Sequence, residues 1–77
     1  RTAVSVDEEG TVYWGRSPIS LADLKTRVES LISDNPELRI QVRADQQTPF
    51  REVRKVLVAC AQAGAYDVIY ATYEAED

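Results

Sequence analysis

Residues 38–72 decide the fold and read LRIQVRADQQTPFREVRKVLVACAQAGAYDVIYAT. The pattern predicts a strand that ends at Asp45, an amphipathic helix that begins at Pro49 and ends at Gly64, and a second strand. Such a β-α-β unit of about 35 residues is near the minimum needed to cross between two parallel strands. The residues before it are expected to pack against this unit.

The first strand of the unit, Leu38 to Asp45, alternates between apolar and polar residues. A strand buried between two helical layers would be apolar throughout, so one face of the sheet is expected to be solvent-exposed. The last strand, Val68 to Tyr73, is ambiguous because two sets compete for its inward face. These are Val68, Tyr70 and Thr72, or Ile69, Ala71 and Tyr73.

The helix of the unit is expected to have Thr48 as its N-cap and Pro49 at its first position, where the missing N–H costs nothing. Gly64 is expected to end it in a left-handed conformation. Its apolar stripe is predicted to contain Phe50, Val53, Val56, Leu57, Cys60, Ala61 and Gly64. A small basic patch, Arg51, Arg54 and Lys55, is most simply a solvated face, although it hints at an acidic partner.

The first part of the chain predicts a hairpin, Ala3 to Asp7 with Thr11 to Trp14, followed by a break at residues 15–18. A first helix is expected from its N-cap Ser20 to Asn35, which precedes a proline and tolerates a left-handed cap. The predicted fold is therefore α/β: a two-layer sandwich of order β-β-α-β-α-β. Its small mixed sheet carries both helices on one face and leaves the other open to solvent.

Composition excludes several classes of function. The 77 residues suffice for a single domain with one core. A net charge of −4 argues against nucleic acid as a partner. With no histidine and only Cys60, the chain offers neither a His/Cys metal site nor a Ser-His or Cys-His pair. No cofactor and no catalytic residue is predicted, and the expectation is that the protein is not an enzyme.

The order and spacing of these segments resemble the periplasmic domain of the ExbD/TolR family of biopolymer-transport proteins. The residues that carry the resemblance are the glycine of the first hairpin, the start of the first helix, the Ala44-Asp45 strand end, the Pro49-Phe50 helix start, and Ala63-Gly64. The resemblance covers nearly all of residues 1–77, which are therefore expected to form one domain of this type.

The resemblance implies an accessory subunit of an inner-membrane complex driven by the proton-motive force, of the TonB-ExbB-ExbD or Tol type. A cytoplasmic tail and one transmembrane helix would precede Arg1, and that helix, not Asp45, would carry the aspartate used in proton passage. The implied partners are a second copy, an ExbB/TolQ-like channel subunit, a TonB- or TolA-like periplasmic protein, and peptidoglycan. The implied location of this domain is the periplasm.

Three groups of residues are the candidate sites. The strand Val68, Ile69, Tyr70, Ala71, Thr72 and Tyr73 is the candidate for pairing with a second copy or a partner peptide, since it is β-rich and uncharged. Replacing Ala71 with proline is the test this hypothesis suggests. Asp45, Pro49 and Gly64 belong to the family pattern and are expected to have structural roles. Arg39 and Arg43 form a candidate anion-facing surface.

Other classes of function remain open at this stage. A soluble α/β regulatory domain would bind a small anion at Arg39, Arg43 or the start of the second helix. An enzyme would need two carboxylates in one cleft, which the sequence does not place. An RNA-binding sheet would need stacking aromatics where this chain has arginines.

Overall fold

The computed structural model describes residues 2–73 and shows seven elements in the order β-β-β-α-β-α-β. Both helices and the four longer strands lie where the sequence predicts them. The elements are β1 Thr2–Val6, β2 Val12–Trp14, β3 Ser17–Pro18, α1 Leu21–Asp34, β4 Arg39–Asp45, α2 Phe50–Gln62 and β5 Asp67–Tyr73. The predicted α/β class is confirmed, with one short strand added to the predicted order.

The five strands form one mixed sheet with the spatial order β3-β2-β1-β4-β5. β1 pairs in parallel with β4, and β4 pairs in parallel with β5. The hairpin β1–β2 and the pair β2–β3 are antiparallel. The segment at residues 15–18 is therefore more than a break, because Ser17 and Pro18 pair with Trp14 and Tyr13 and complete one edge of the sheet.

The core lies between the sheet and the helices. β4 contributes Ile40, Val42 and Ala44 to it, while Arg39 and Arg43 on the other face are exposed, as the alternation predicts. The remaining fully buried side chains come from β1, α1 and α2, namely Val4, Val6, Leu24, Val28, Val53, Val56 and Cys60. One face of the sheet is thus covered and the other is open.

The two helix starts differ from each other. Ser20 caps α1, since its Oγ accepts the Asp23 N–H at 3.1 Å. Thr48 does not cap α2, and that prediction is wrong. Its hydroxyl donates instead to the Asp7 carbonyl at 2.9 Å, which ties the β4–α2 loop to the end of β1. Pro49 occupies the N-cap position of α2, one residue before the first helical position that was predicted for it, and no side chain caps the helix.

The two helix ends also differ. Gly64 follows α2 with a φ of +94°, which confirms the predicted left-handed conformation, and the Ala65 N–H donates to the Cys60 carbonyl at 3.0 Å, as in a Schellman motif. Asn35 ends α1 with a φ of −145°, an extended conformation outside the α region, and does not use the left-handed conformation that asparagine tolerates. The proline that follows accounts for this extended backbone.

The apolar stripe of α2 is rotated relative to the prediction. Ala59 and Ala63 are buried, whereas Phe50 is 59% exposed and Ala61 is exposed. Ala59 lines a groove shared with α1. Packing against α1 therefore moves the centre of the stripe toward that helix and leaves Phe50 on the opposite flank.

Candidate functional site

β5 is an edge strand. It pairs with β4 along its whole length, from Arg39↔Asp67 to Asp45↔Tyr73, and no strand among residues 2–73 pairs with its other side. The opposite edge of the sheet is the two-residue β3, which contains Pro18. A short, proline-containing edge is protected against pairing with another chain, whereas a seven-residue edge is not.

The direction of the backbone groups in β5 follows from one hydrogen bond. The Gln46 N–H donates to the Tyr73 carbonyl at 2.8 Å, so Tyr73 directs its backbone groups toward β4. Because N–H and C=O groups alternate in direction along a strand, Ile69 and Ala71 also point toward β4. The backbone groups of the other set point away from the sheet. These residues are Val68, Tyr70 and Thr72.

The register also settles which side chains of β5 face the helices. Ile40, Val42 and Ala44 face the core, and their partners in the ladder are Val68, Tyr70 and Thr72. Adjacent residues of a parallel pair share a face, so this set is the inward one. Only Val68 packs against the core cluster, because β5 is at the margin of the helical layer.

Two aromatic side chains lie together beside this edge. Phe50 of α2 and Tyr70 of β5 have ring centroids 6.4 Å apart and an interplanar angle of 70°, an edge-to-face arrangement. Tyr70 is 42% exposed, and Tyr66 before the strand is almost fully exposed. The edge therefore combines free backbone groups with an apolar surface. The sequence pattern does not indicate Phe50 or Tyr66 as surface contacts, since Phe50 matches the core spacing of α2.

The open face of the sheet does not assemble an anion site. Arg39 Nε lies 3.1 Å from the Asp67 carboxylate, and the Arg43 guanidinium lies over the Tyr73 ring at 5.6 Å from its centroid. The two arginines are four residues apart on one strand, which separates them by about 13 Å. Each cation thus already has its own partner.

The start of α2 is also occupied by a negative charge. Glu52 lies in its first turn, where a carboxylate is favoured by the helix dipole, and its Oε1 lies 3.2 Å from Lys55 Nζ. A bound anion would have to approach this carboxylate. The geometry therefore disfavours the helix start as a binding site.

The family-pattern residues are divided between opposite ends of α2. Asp45 is only 6% exposed, and its Oδ1 accepts the Gln47 N–H at 2.8 Å in the loop before the helix. Pro49 follows in the same loop, whereas Gly64 lies beyond the other end of the helix. These contacts organise the backbone, and they do not bring the three residues into one site.

The local environment raises the pKa of two side chains, Tyr13 and Cys60. Partial burial and the neighbouring Asp7 raise the pKa of Tyr13, whose hydroxyl donates to that carboxylate at 3.3 Å. Burial raises the pKa of the Cys60 thiol, which disfavours its reactive thiolate. Within residues 2–73 no three His, Cys, Asp or Glu side chains are grouped so that they would hold a metal.

Neither helix of the described part has the length and hydropathy of a membrane-spanning segment.

Comparison of the sequence with known proteins identifies a family and two relatives. The sequence model of the family described as "Biopolymer transport protein ExbD/TolR" matches residues 2–75. The chain is also similar to two proteins described as "Biopolymer transport protein exbD1", from two strains of Xanthomonas campestris pv. campestris. Each is 28% identical over 65 residues, which cover 84% of this chain and 46% of the relative. The chain thus spans about half the length of the curated relatives it matches.

Proposed function

The chain belongs to the ExbD/TolR family of biopolymer transport proteins, and from this premise we propose that it is the periplasmic domain of an accessory subunit in an inner-membrane complex driven by the proton-motive force. In that role it is a binding and assembly module and not an enzyme. The observation that carries the proposal is the outer edge of β5, which no strand of the described part of the chain covers and which offers backbone hydrogen-bonding groups beside an apolar surface.

Strand addition is the mode of association that suits this edge. Val68, Tyr70 and Thr72 direct their N–H and C=O groups outward, and an extended segment placed there would form the sixth strand of the sheet. Its side chains on the helical side would meet Phe50 and Tyr70, so an apolar residue is favoured at that position. A second copy of the chain or a segment of a TonB- or TolA-like protein fits this description.

The structure changes the design of the test that the sequence suggested. Ala71 directs its N–H toward β4, so Ala71→Pro would break the sheet of the domain itself and would not report on the edge. Thr72 directs its N–H outward and its side chain is exposed. Thr72→Pro therefore removes an edge donor at a position where an edge strand tolerates proline.

The experiment compares Thr72→Pro with Thr72→Val, which keeps the N–H and the β-branched shape. Self-association is measured by analytical ultracentrifugation, and capture of periplasmic segments of TonB- and TolA-like proteins by fluorescence anisotropy. Circular dichroism establishes that both variants fold. We expect Thr72→Pro to lose association and Thr72→Val to retain it. A folded Thr72→Pro that associates like the wild type would refute edge pairing.

The remaining assignments follow from the family. We propose a single-pass anchor before Arg1, a channel partner of the ExbB/TolQ type that contacts this anchor, and peptidoglycan as a further periplasmic partner. The gene provides the check. A stretch of about 20 apolar residues, with one acidic residue among them, encoded immediately before Arg1 would support the proposal. A polar domain there would favour the alternative of a soluble regulatory module.

A further inference from the structure

A second surface, separate from the edge of β5, lies on the helical layer. A groove of about 370 Å³ runs between α1 and α2. Leu21, Val58 and Ala59 give it an apolar lining, and Leu21 and Val58 are 36% and 40% exposed. Two exposed aliphatic side chains on neighbouring helices thus share one concave surface.

The charged residues of this groove are all cationic. Lys25, Arg54 and Lys55 line it, and none of the carboxylates within residues 2–73 does, although the whole chain carries a net charge of −4. Lys55 is already paired with Glu52 at 3.2 Å. Within the described residues, Lys25 and Arg54 form no ion pair. The groove therefore has a local positive charge that an acidic ligand would complement.

The walls of the groove favour one kind of backbone in the ligand. Both walls are α-helices, whose backbone groups are bonded within each helix, so an extended peptide would gain no ladder of hydrogen bonds there. A helix carries its own backbone hydrogen bonds and presents apolar side chains at spacings of three and four residues. The groove is also open to solvent, which suits side chains on the surface of another protein. A small molecule normally binds in a pocket that buries most of its surface.

We propose that the groove between α1 and α2 docks an acidic amphipathic helix of another protein. Apolar side chains of that helix lie against Leu21 and Val58, and its flanking carboxylates lie near Lys25 and Arg54. The proposal does not depend on pairing at β5, because the two surfaces share no residue. Loss of one interaction leaves the other measurable.

The probe is a capped peptide of about 18 residues, long enough to be helical in isolation, with leucine along one stripe and glutamate elsewhere. One comparison peptide has lysine in place of glutamate, and another has the leucines scrambled to remove the stripe. Binding is measured by fluorescence anisotropy, and the site is mapped by methyl and amide NMR. We expect only the striped acidic peptide to bind, with shifts at Leu21 and Val58, and binding to weaken in high salt.

Substitutions in α2 distinguish specific binding in the groove from a general effect of the positive charge of this helix. Arg54→Glu reverses a groove cation and is expected to weaken binding about fivefold or more, the effect of about 1 kcal/mol. Val58→Glu is expected to abolish the shift of the Leu21 methyl groups. Arg51→Glu is the matched control, because Arg51 is on the same helix, highly exposed and outside the groove. It should change binding less than twofold, and circular dichroism checks each fold.

Three results would overturn the proposal. One is equal binding of the lysine peptide or of the scrambled peptide. Another is an equal loss in Arg51→Glu and Arg54→Glu, which would indicate a diffuse electrostatic effect. The third is binding of phosphatidylglycerol vesicles that depends on Arg54, without binding of the acidic peptide, which would identify the surface as a membrane contact.

Discussion

The hydroxyl of Thr48 provides the sharpest test of how the loop between β4 and α2 is held. The sequence predicts Thr48 as the N-cap of α2, whereas its hydroxyl donates to carbonyls at the end of β1, at 2.9 Å to Asp7 and 3.4 Å to Val6. An N-cap side chain must accept a hydrogen bond, and this hydroxyl donates. Substitutions at one position can therefore separate the two roles.

Thr48→Asp distinguishes the capping role from the donor role by the sign of the change in the free energy of unfolding. Aspartate is among the best N-caps, so a capping role predicts a neutral or stabilising change. The structure predicts destabilisation, because a carboxylate cannot donate and would face two carbonyl oxygens. We expect a loss of about 2–3 kcal/mol in the free energy of unfolding, since a charged group is left facing acceptors in a partly buried site.

Two further substitutions at Thr48 measure how much its donated hydrogen bond contributes to the free energy of unfolding. Thr48→Val keeps the shape and removes one good hydrogen bond, and the Asp7 carbonyl keeps its bond from the Gly10 N–H at 3.0 Å. The expected loss is therefore about 1 kcal/mol. Thr48→Ser keeps the donor and should lose less than Thr48→Val.

Urea denaturation followed by circular dichroism measures these free energies, and thermal melting provides a second scale at about 4–8 °C per kcal/mol for a domain of this size. The expected order of stability is wild type, Ser, Val, Asp. A Thr48→Asp protein as stable as the wild type, or more stable, would refute the assignment of the hydroxyl as a donor.

Three other predictions follow from burial and backbone geometry. Leu24 is fully buried, so Leu24→Ala should lower the free energy of unfolding by about 2–5 kcal/mol. Phe50 is exposed, so Phe50→Ala should lower it by under about 2 kcal/mol. Similar losses for the two variants in urea denaturation would contradict the exposed position of Phe50. Gly10→Ala should lose about 1–2 kcal/mol because its φ is +90°, and a stabilised variant would argue against that turn. Above pH 9.0, the reference pKa of the thiol, the wild type should lose stability faster than Cys60→Ala, because the unfolded thiol ionises before the buried one; parallel pH profiles would show that burial has no such effect.

Local chemistry explains the predictions that were confirmed. The N-cap at Ser20, the left-handed Gly64 and the alternation of β4 each depend on residues within one turn or one strand. The resemblance to a family also depended on the order of such local signals, and the family match over residues 2–75 confirms it. Interactions of short range in the sequence are therefore predicted reliably here.

The predictions that were wrong depend on distant parts of the chain. The partner of Thr48 lies 41 residues away at Asp7, and the rotation of α2 that exposes Phe50 follows from packing against α1. Neither residue has a local signal that would distinguish these positions from a cap or a core residue. The mistaken Ala71→Pro test has the same origin, because the register with β4 decides where its N–H points.

The sequence by itself determined the type and order of both helices and the four longer strands, and which face of β4 is buried, because hydrophobic periodicity and capping act over a few residues. Only the tertiary structure decided that β5 is an edge strand of the sheet formed by residues 2–73, that Val68, Tyr70 and Thr72 direct their backbone groups outward, and that a cationic groove lies between α1 and α2. These features depend on which elements become neighbours. They are also the features on which both proposed binding surfaces rest.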